Sequence, residues 1–247
     1  IIMEELLKLD QGDAFFEMFQ VVIQLGAILA VVVIYFHKLN PFSPKKTQKQ
    51  KMMTWQIWIK VVIGCVPAGV VGLLFNDWID KKLYHWYVVA LTLIIYGVLF
   101  IVVENYQKDK TPQVTKFSQL TVPMILIIGV FQMLALIPGT SRSGATIVGA
   151  LMIGVSRSVA AEYTFFLAIP VMFGASLLKL VKFGFNFTAM QAAVLLVGMV
   201  VSFAVSIVAI KFLMSYIRKN DFKVFGYYRI VLGVIVFLFF GIQALLA

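Results

Sequence analysis

Long apolar runs alternate with short polar stretches along the whole chain, at 15–36, 57–75, 87–103, 121–137, 144–154, 159–181, 190–214 and 226–246. Six of them have the length a helix needs to cross a hydrocarbon core roughly 30 Å thick. The pair 121–137 and 144–154 is different, because the second run has 11 residues and rises only about 16 Å as a helix. Between the two lies Pro138-Gly139-Thr140-Ser141-Arg142-Ser143-Gly144, a sharp break. Two short helices around such a break predict a re-entrant hairpin over 121–154 that enters and leaves on one side. The expected fold is all-α: a polytopic membrane protein of about six spanning helices plus one re-entrant hairpin, in one integral membrane domain over 1–247.

Charge in the loops orients this arrangement. The linker 37–56 carries Lys38, Lys45, Lys46, Lys49 and Lys51 without an acid, so it is expected on the cytoplasmic side. The run 57–75 then exits to an expected loop holding Asp77, Asp80, Lys81 and Lys82, and 87–103 returns to Lys108, Lys110 and Lys116. A re-entrant 121–154 keeps Arg157 cytoplasmic and brings Arg218, Lys219 and Lys223 back to the same side. A full span at 121–154 would push all four outward, so the positive-inside rule favours the hairpin. Pro41, Pro44 and Pro112 mark the loops as connectors.

Composition sharpens the class. Hydrophobic residues make up 62% of the 247 and charged residues 13%, against about a quarter charged in a soluble domain; the mean hydropathy is +0.97. The net charge of +10 is accounted for by basic loops facing anionic headgroups, and no nucleic-acid module accompanies it. The single Cys65 excludes an internal disulfide and is expected to be a small packing residue. His37 and His85 fall on opposite sides in this topology and so cannot share a metal. Trp55, Trp58, Trp78 and Trp86 sit near segment ends as interfacial anchors.

Candidate chemistry concentrates in residues 138–146. Thr140, Ser141 and Ser143 supply hydroxyls and Arg142 a guanidinium where a helix starts inside the membrane, with Thr146 one turn on. A helix N-terminus offers free N–H groups and about half a positive charge. Gly139 and Gly144 allow close approach to the backbone, and the planar fork of Arg142 matches phosphate oxygens. A phosphate cradle and a close-packing turn with a snorkelling Arg are both open here. The cost of an Arg at membrane depth, roughly 2.5–3.5 kcal/mol, speaks for the cradle. Gln132 and Glu162 flank the hairpin as candidates to orient Arg142, an Arg142–Glu162 ion pair among the options; a first-turn carboxylate is the plainer role for Glu162. Glu17, Gln20 and Gln24 share one helix face and line the cavity or bridge helices.

The stretch 131–146, FQMLALIPGTSRSGAT, resembles the PGxSRSxxT region of the undecaprenyl-diphosphatase (bacitracin-resistance) family. The likeness continues through FQVVIQLGAILAVVV (19–33), GVSRSVAAEYTFFLAIPVMFGAS (154–176) and the spacing of the last two helices, and so covers essentially the whole chain. The resemblance implies removal of the terminal phosphate from undecaprenyl diphosphate in the bacterial plasma membrane. Arg142 would grip the diphosphate and stabilise charge in the transition state, with Ser141, Ser143 and Thr146 completing the cradle. It also implies a divalent cation (Mg or Ca) and a polyprenyl diphosphate as lipid partner; a homodimer is one arrangement open to the chain, whose sequence does not fix the oligomeric state. The family's fold is similar to transporters built from inverted repeats, which would make 1–104 the remainder of a first repeat and 117–247 the second.

The chain departs from that pattern at its start. Family members carry an earlier re-entrant hairpin with a Glu-x-x-x-Glu-type motif and a Pro-x-Ser-Ser-Thr-Gly-His stretch, and nothing here matches them. Ile1 to Leu9 resemble the helix that follows, with Asp10 and Asp13 outside the membrane. The chain opens Ile1-Ile2-Met3-Glu4-Glu5, with no signal-peptide pattern. The expectation is a chain lacking its N-terminal acidic pair, Ser and His, and inactive as written. The alternative from another class is a transporter or flippase for a phosphorylated lipid or anion. A phosphatase of the phosphatidic-acid type fails because both histidines lie upstream of Ser141-Arg142 and Ser156-Arg157.

Overall fold

The computed structural model describes residues 13–184 and 187–246. The expectations for Ile1 to Leu9 and Asp10 lie outside the described residues, as do the side chains of Asp13, Asp77 and Asp80. In chain order the helices are α1 (Asp13–Val22), α2 (Gln24–Ile34), α3 (Phe36–Leu39), α4 (Gln48–Leu83), α5 (Trp86–Gln107), α6 (Val122–Met133), α7 (Arg142–Met152), α8 (Arg157–Phe183), α9 (Ala189–Ile217) and α10 (Lys223–Leu246). Among the described residues there is no β-strand, and a single isolated parallel bridge joins Val114 to Val155.

Among the described residues, six stretches have the length and apolarity to cross a membrane: Ala14–Ile34, Gln48–Phe75, Trp86–Gln107, Arg157–Phe183, Ala189–Ile217 and Lys223–Gln243. The protein is an all-α polytopic membrane protein. Side chains such as Leu196, Val200 and Val208 of α9 are exposed, as lipid-facing surface should be when the solvent is hydrocarbon. The two elements α6 and α7 have 12 and 11 residues, about 18 and 16 Å of rise, and neither reaches across alone.

Two segment boundaries differ from those expected. The acidic and basic stretch after Phe75 is not a loop: α4 continues to Leu83, since nothing between Phe75 and Leu83 breaks a helix. That helix also starts earlier than residue 57. Thr47 Oγ1 accepts from the Gln50 amide (3.3 Å) and Gln50 Oε1 from the Thr47 amide (2.9 Å), a reciprocal capping box. Thr188 and Gln191 repeat the device at the start of α9. The first apolar run, taken as one span, tightens at Ile23 between α1 and α2, where the Gly26 amide donates to the Ile23 carbonyl.

Packing divides the chain into two compact units, one of residues up to Trp58 with Phe165–Ser215, the other of Ile59–Thr164 with Tyr216 onward. In the first, Phe15, Met18 and Val22 are buried among Phe19, Leu25, Leu180, Phe183, Val194 and Met199. Glu17 is exposed and pairs with Lys179 (3.2 Å), while Gln24 donates to the Gln20 carbonyl (3.1 Å). The loop before α4 is tied by Lys46, whose Nζ donates to the Asn40 carbonyl and to Thr54 Oγ1, each at 2.8 Å. Desolvation there pulls the ammonium of Lys46 below its ordinary pKa.

In the second unit α5 and α10 lie close, with glycine at the crossing. A Cβ on Gly97 would stand 2.7 Å from the Gly226 carbonyl oxygen, and one on Gly226 equally near that of Gly97. Phe131 of α6 lies against Gly149 of α7, which folds the two short helices onto each other. Three basic connections meet at one end of α5. The Gln113 amide donates to the Gly154 carbonyl (2.9 Å), the Ser156 amide to the Val114 carbonyl (2.9 Å) and the Phe222 amide to Glu104 Oε1 (3.0 Å). The hairpin thus leaves from and returns to the end of α5 that leads into Lys108 and Lys110.

Candidate functional site

The hairpin turns at Ile137–Ser141, between a short 3-10 turn (Leu134–Leu136) and the first residue of α7, Arg142. Its geometry depends on Gly139, whose φ of +83° is the left-handed region that side chains avoid. Space enforces the same choice, since a Cβ there would stand 2.3 Å from Thr92 Oγ1 and 2.7 Å from the Val89 backbone. Thr92 holds the turn from α5, donating to the Pro138 carbonyl at 2.8 Å. Thr92 is six residues from Trp86 and fifteen from Gln107, so the turn sits about 9 Å in from one end of α5 and about 22 Å from the end that leads into the basic loops. The hairpin tip thus lies beside the interior of a helix long and apolar enough to span a membrane.

Helix α7 begins with its donors organised. Ser141 is the N-cap and its Oγ accepts from the Gly144 amide at 3.2 Å. Ser141 Oγ and Ser143 Oγ lie 3.0 Å apart, with Ser143 exposed. Arg142 is half-buried at the first helical position and lies within electrostatic range of Cys65, which also neighbours the Gln132 side chain. Gln132 is buried, with its Nε2 3.5 Å from the Gly64 carbonyl. Thr140 is buried, and its Oγ1 makes no hydrogen bond.

Thr146 is wholly buried. Its hydroxyl lies 3.0 Å from the Arg142 carbonyl, 3.2 Å from that of Ser143 and 2.9 Å from Thr164 Oγ1 on α8. It therefore holds the first turn of α7 from inside the helix packing. Glu162, half-buried, lies two residues before Thr164 on the same helix. Within this unit the break brings Gln132, Gly139, Thr140, Ser141, Arg142, Ser143, Gly144 and Thr146 together, with Glu162 on the adjoining helix. Glu17, Gln20 and Gln24 belong to the first unit and are placed there as described above.

The sequence reading missed a second guanidinium. Arg229, in the second turn of α10, is 8% exposed and donates from Nη2 to the Gly139 carbonyl at 3.1 Å. Its Nη1 would be 3.2 Å from a Cβ on Gly144, so that glycine makes room for it. The guanidinium lies over the Tyr96 ring, 5.8 Å from the centroid, and its Nε is buried without a partner. The orphaned Arg229 Nε and Thr140 Oγ1, both at a break lined by hydroxyls and helix N–H groups, suit a polar, anionic guest.

The family profile described as bacitracin resistance protein BacA matches residues 1–235. Curated relatives named undecaprenyl-diphosphatase align nearly end to end. The protein of Desulfitobacterium hafniense is 58% identical over 247 residues, all of this chain and 89% of that protein. That of Acetivibrio thermocellus is 59% identical over 240 residues, 97% of this chain and 88% of the relative. That of Enterococcus faecalis is 55% identical over 238 residues, 95% and 86% of the respective chains.

Proposed function

The chain belongs to the bacitracin resistance protein BacA family, and from that premise we propose that it hydrolyses undecaprenyl diphosphate to undecaprenyl phosphate and inorganic phosphate. The reaction returns the carrier lipid to peptidoglycan synthesis and underlies resistance to bacitracin. The observation that carries the reading is the capped N-terminus of α7 beside the interior of α5, with Arg142 at its first position and Arg229 behind its glycine turn.

Phosphoryl transfer asks the protein mainly to position the group and to stabilise its charge. A water oxygen bonds to the terminal phosphorus as the bond to the bridging oxygen breaks. The electron pair leaves on the lipid monophosphate, and the water protons pass to the products. In this reading Arg142 binds the terminal phosphoryl oxygens bidentately. Ser143, the exposed hydroxyl, and the first N–H groups of α7 face the same oxygens. Ser141, Thr140 and the glycines Gly139 and Gly144 shape the cradle, Thr146 fixes its first turn, and Gln132 and Glu162 flank it.

The family resemblance also implies a divalent cation. Among the described residues no group of three or more His, Cys, Asp or Glu side chains is placed to hold one. The proposed steps run through the chain's own residues alone. The finer parts of the proposal are a multi-pass location in the bacterial plasma membrane, a polyprenyl diphosphate as lipid partner, pairing as a homodimer, and inverted repeats over 1–104 and 117–247.

The test is phosphate release from undecaprenyl diphosphate by the full-length protein in detergent. Arg142→Ala is expected to lower kcat by about 10²–10³-fold, the usual loss when one charge-stabilising donor is removed. Arg142→Lys is expected to recover little of it, because an ammonium lacks the planar fork. A folded, monodisperse preparation that releases no phosphate but supports counterflow in proteoliposomes would move the reading to lipid or anion transport.

A further inference from the structure

The turn that carries Arg142 has a near copy fifteen residues on. Residues 139–143 read Gly-Thr-Ser-Arg-Ser and residues 154–158 read Gly-Val-Ser-Arg-Ser. The likeness extends to the backbone. Gly139 has φ +83° and Gly154 φ +79°, and in each copy the Arg is the first residue of a helix, α7 or α8. In each, the amide four residues beyond the first Ser closes on that Ser carbonyl at 2.9 Å, Ala145 to Ser141 and Ala160 to Ser156. The second turn opens into a cavity of about 290 Å³, at the small end of ligand-sized pockets.

The lining is cationic. Lys108, Lys110, Arg157 and Arg218 surround it with the hydroxyl residues Ser156 and Ser158. Glu104 is its one carboxylate, and that group is already engaged: Arg157 donates to both oxygens from Nε and Nη2, and the Phe222 amide donates to Oε1. Four cations against one carboxylate leave a surplus of three positive charges. Arg157 Nη1 takes no part in the pair, and the Arg157 side chain is 37% exposed. Asp221, beyond the lining, is engaged by Lys223 at 3.5 Å. The first turn of α8 holds no acidic residue, so its N–H groups add to the positive field.

We propose that this second Gly-x-Ser-Arg-Ser turn, with Lys108, Lys110 and Arg218, is a second phosphate-binding site, at the opposite end of α7 from Arg142. Charge-assisted donors of three kinds converge there, flexible ammonium and guanidinium groups, hydroxyls and helix N–H groups, and a phosphate group uses all three. The site faces the basic loops, so its phosphate comes either from solution as the free ion or from an anionic lipid headgroup.

Two arms separate these sources, both on full-length protein. In detergent, the melting temperature is followed as inorganic phosphate is titrated. The Arg142→Ala variant removes the first cradle and is expected to keep a phosphate-dependent rise. Adding Lys108→Gln and Arg218→Gln, both exposed positions, is expected to move the midpoint about tenfold to weaker binding, equivalent to ~1.4 kcal/mol of lost contact. In nanodiscs containing phosphatidylglycerol in phosphatidylcholine, retention of phosphatidylglycerol by native mass spectrometry is compared between the wild type and Lys108→Gln/Arg218→Gln. A change in the first arm assigns free phosphate, and a change in the second alone assigns the headgroup. Neither arm moving overturns the site. Ser158→Glu, which sets a like charge in the cavity, must reproduce the result, and phosphatase activity retained by Lys108→Gln/Arg218→Gln shows that the first cradle is intact.

Discussion

Arg229 donates from Nη2 to the carbonyl of Gly139, ninety residues earlier in the chain, at 3.1 Å. The bond joins the last helix to the one backbone position of the hairpin turn that only glycine accommodates. It places a buried guanidinium behind the residues proposed to meet the diphosphate. Arg229 is thereby a positioning residue for the turn, acting through Gly139 and the space left by Gly144.

Arg229→Ala is expected to lower kcat about a hundredfold, the scale of loss when a catalytic group is displaced by roughly an ångström. KM should move less, since the groups proposed to bind substrate remain. Arg229→Lys keeps the charge but loses the fork and should restore only part of the rate. Steady-state kinetics on the three proteins decides it; equal losses in stability and activity across both variants would reduce Arg229 to a packing role.

Gly139→Ala combines two penalties. A left-handed conformation costs an ordinary residue about 1–2 kcal/mol, and the new methyl would press on Thr92 Oγ1 and the Val89 backbone. Removing the Thr92 side chain relieves only the first contact. Gly139→Ala should therefore unfold at lower temperature than the wild type, and Gly139→Ala/Thr92→Ala should recover part of the difference, as read by intrinsic fluorescence in detergent.

The Glu104–Arg157 pair clamps the hairpin's exit to the end of α5 and to the amide of Phe222. Glu104 is 1% exposed. Glu104→Ala leaves the buried Phe222 amide without its acceptor and a part-exposed guanidinium unpaired, a loss of about 1–3 kcal/mol. Glu104→Gln, which keeps an acceptor oxygen, should cost less. The double variant with Arg157→Ala should be less damaging than the sum of the single changes, a coupling that a double-mutant cycle measures directly.

Thr146 and Thr164 share a buried hydroxyl–hydroxyl contact of 2.9 Å. Thr146→Val keeps the shape, leaves Thr164 Oγ1 without that partner and frees the Arg142 carbonyl. A loss of about 1–3 kcal/mol is expected, with activity falling as the first turn of α7 loosens. Thr146→Ser should retain most of both. If Val and Ser variants behave alike, the contact is not what holds the turn.

The spanning helices were legible because hydrocarbon demands long apolar runs, and the break was legible because Pro138-Gly139 followed by hydroxyls and an Arg is intolerable inside a spanning helix. Arg229 was not, although the same reasoning applies to it. It stands seven residues into Lys223–Leu246, close enough to the run's edge to pass for an interfacial charge, and only the packing of α10 on α5 carries it to the turn. Glu104 likewise sat one residue past an apolar run ending at 103, and its partner lies 53 residues away. Pairings at such separations depend on how helices pack, which no local pattern encodes. The end of α4 is the opposite case: polarity after Phe75 suggests a loop, but no breaker stops the helix before Leu83.

Helix α7 is fixed at both ends. Ser141 caps its start and Thr146 ties its first turn to Thr164. At the other end Gly154 donates to the Leu151 carbonyl and Val155 to that of Ala150, a Schellman stop, while Gln107 Nε2 donates to Leu151 at 2.6 Å. The helix thus behaves as a spacer of set length between the hairpin tip and the basic loops. One residue added within it would turn Arg142 by about 100° and shift it by about 1.5 Å relative to its far anchor. The residues of α7 can vary in size and polarity where packing allows, but their number cannot change without moving the guanidinium off its target.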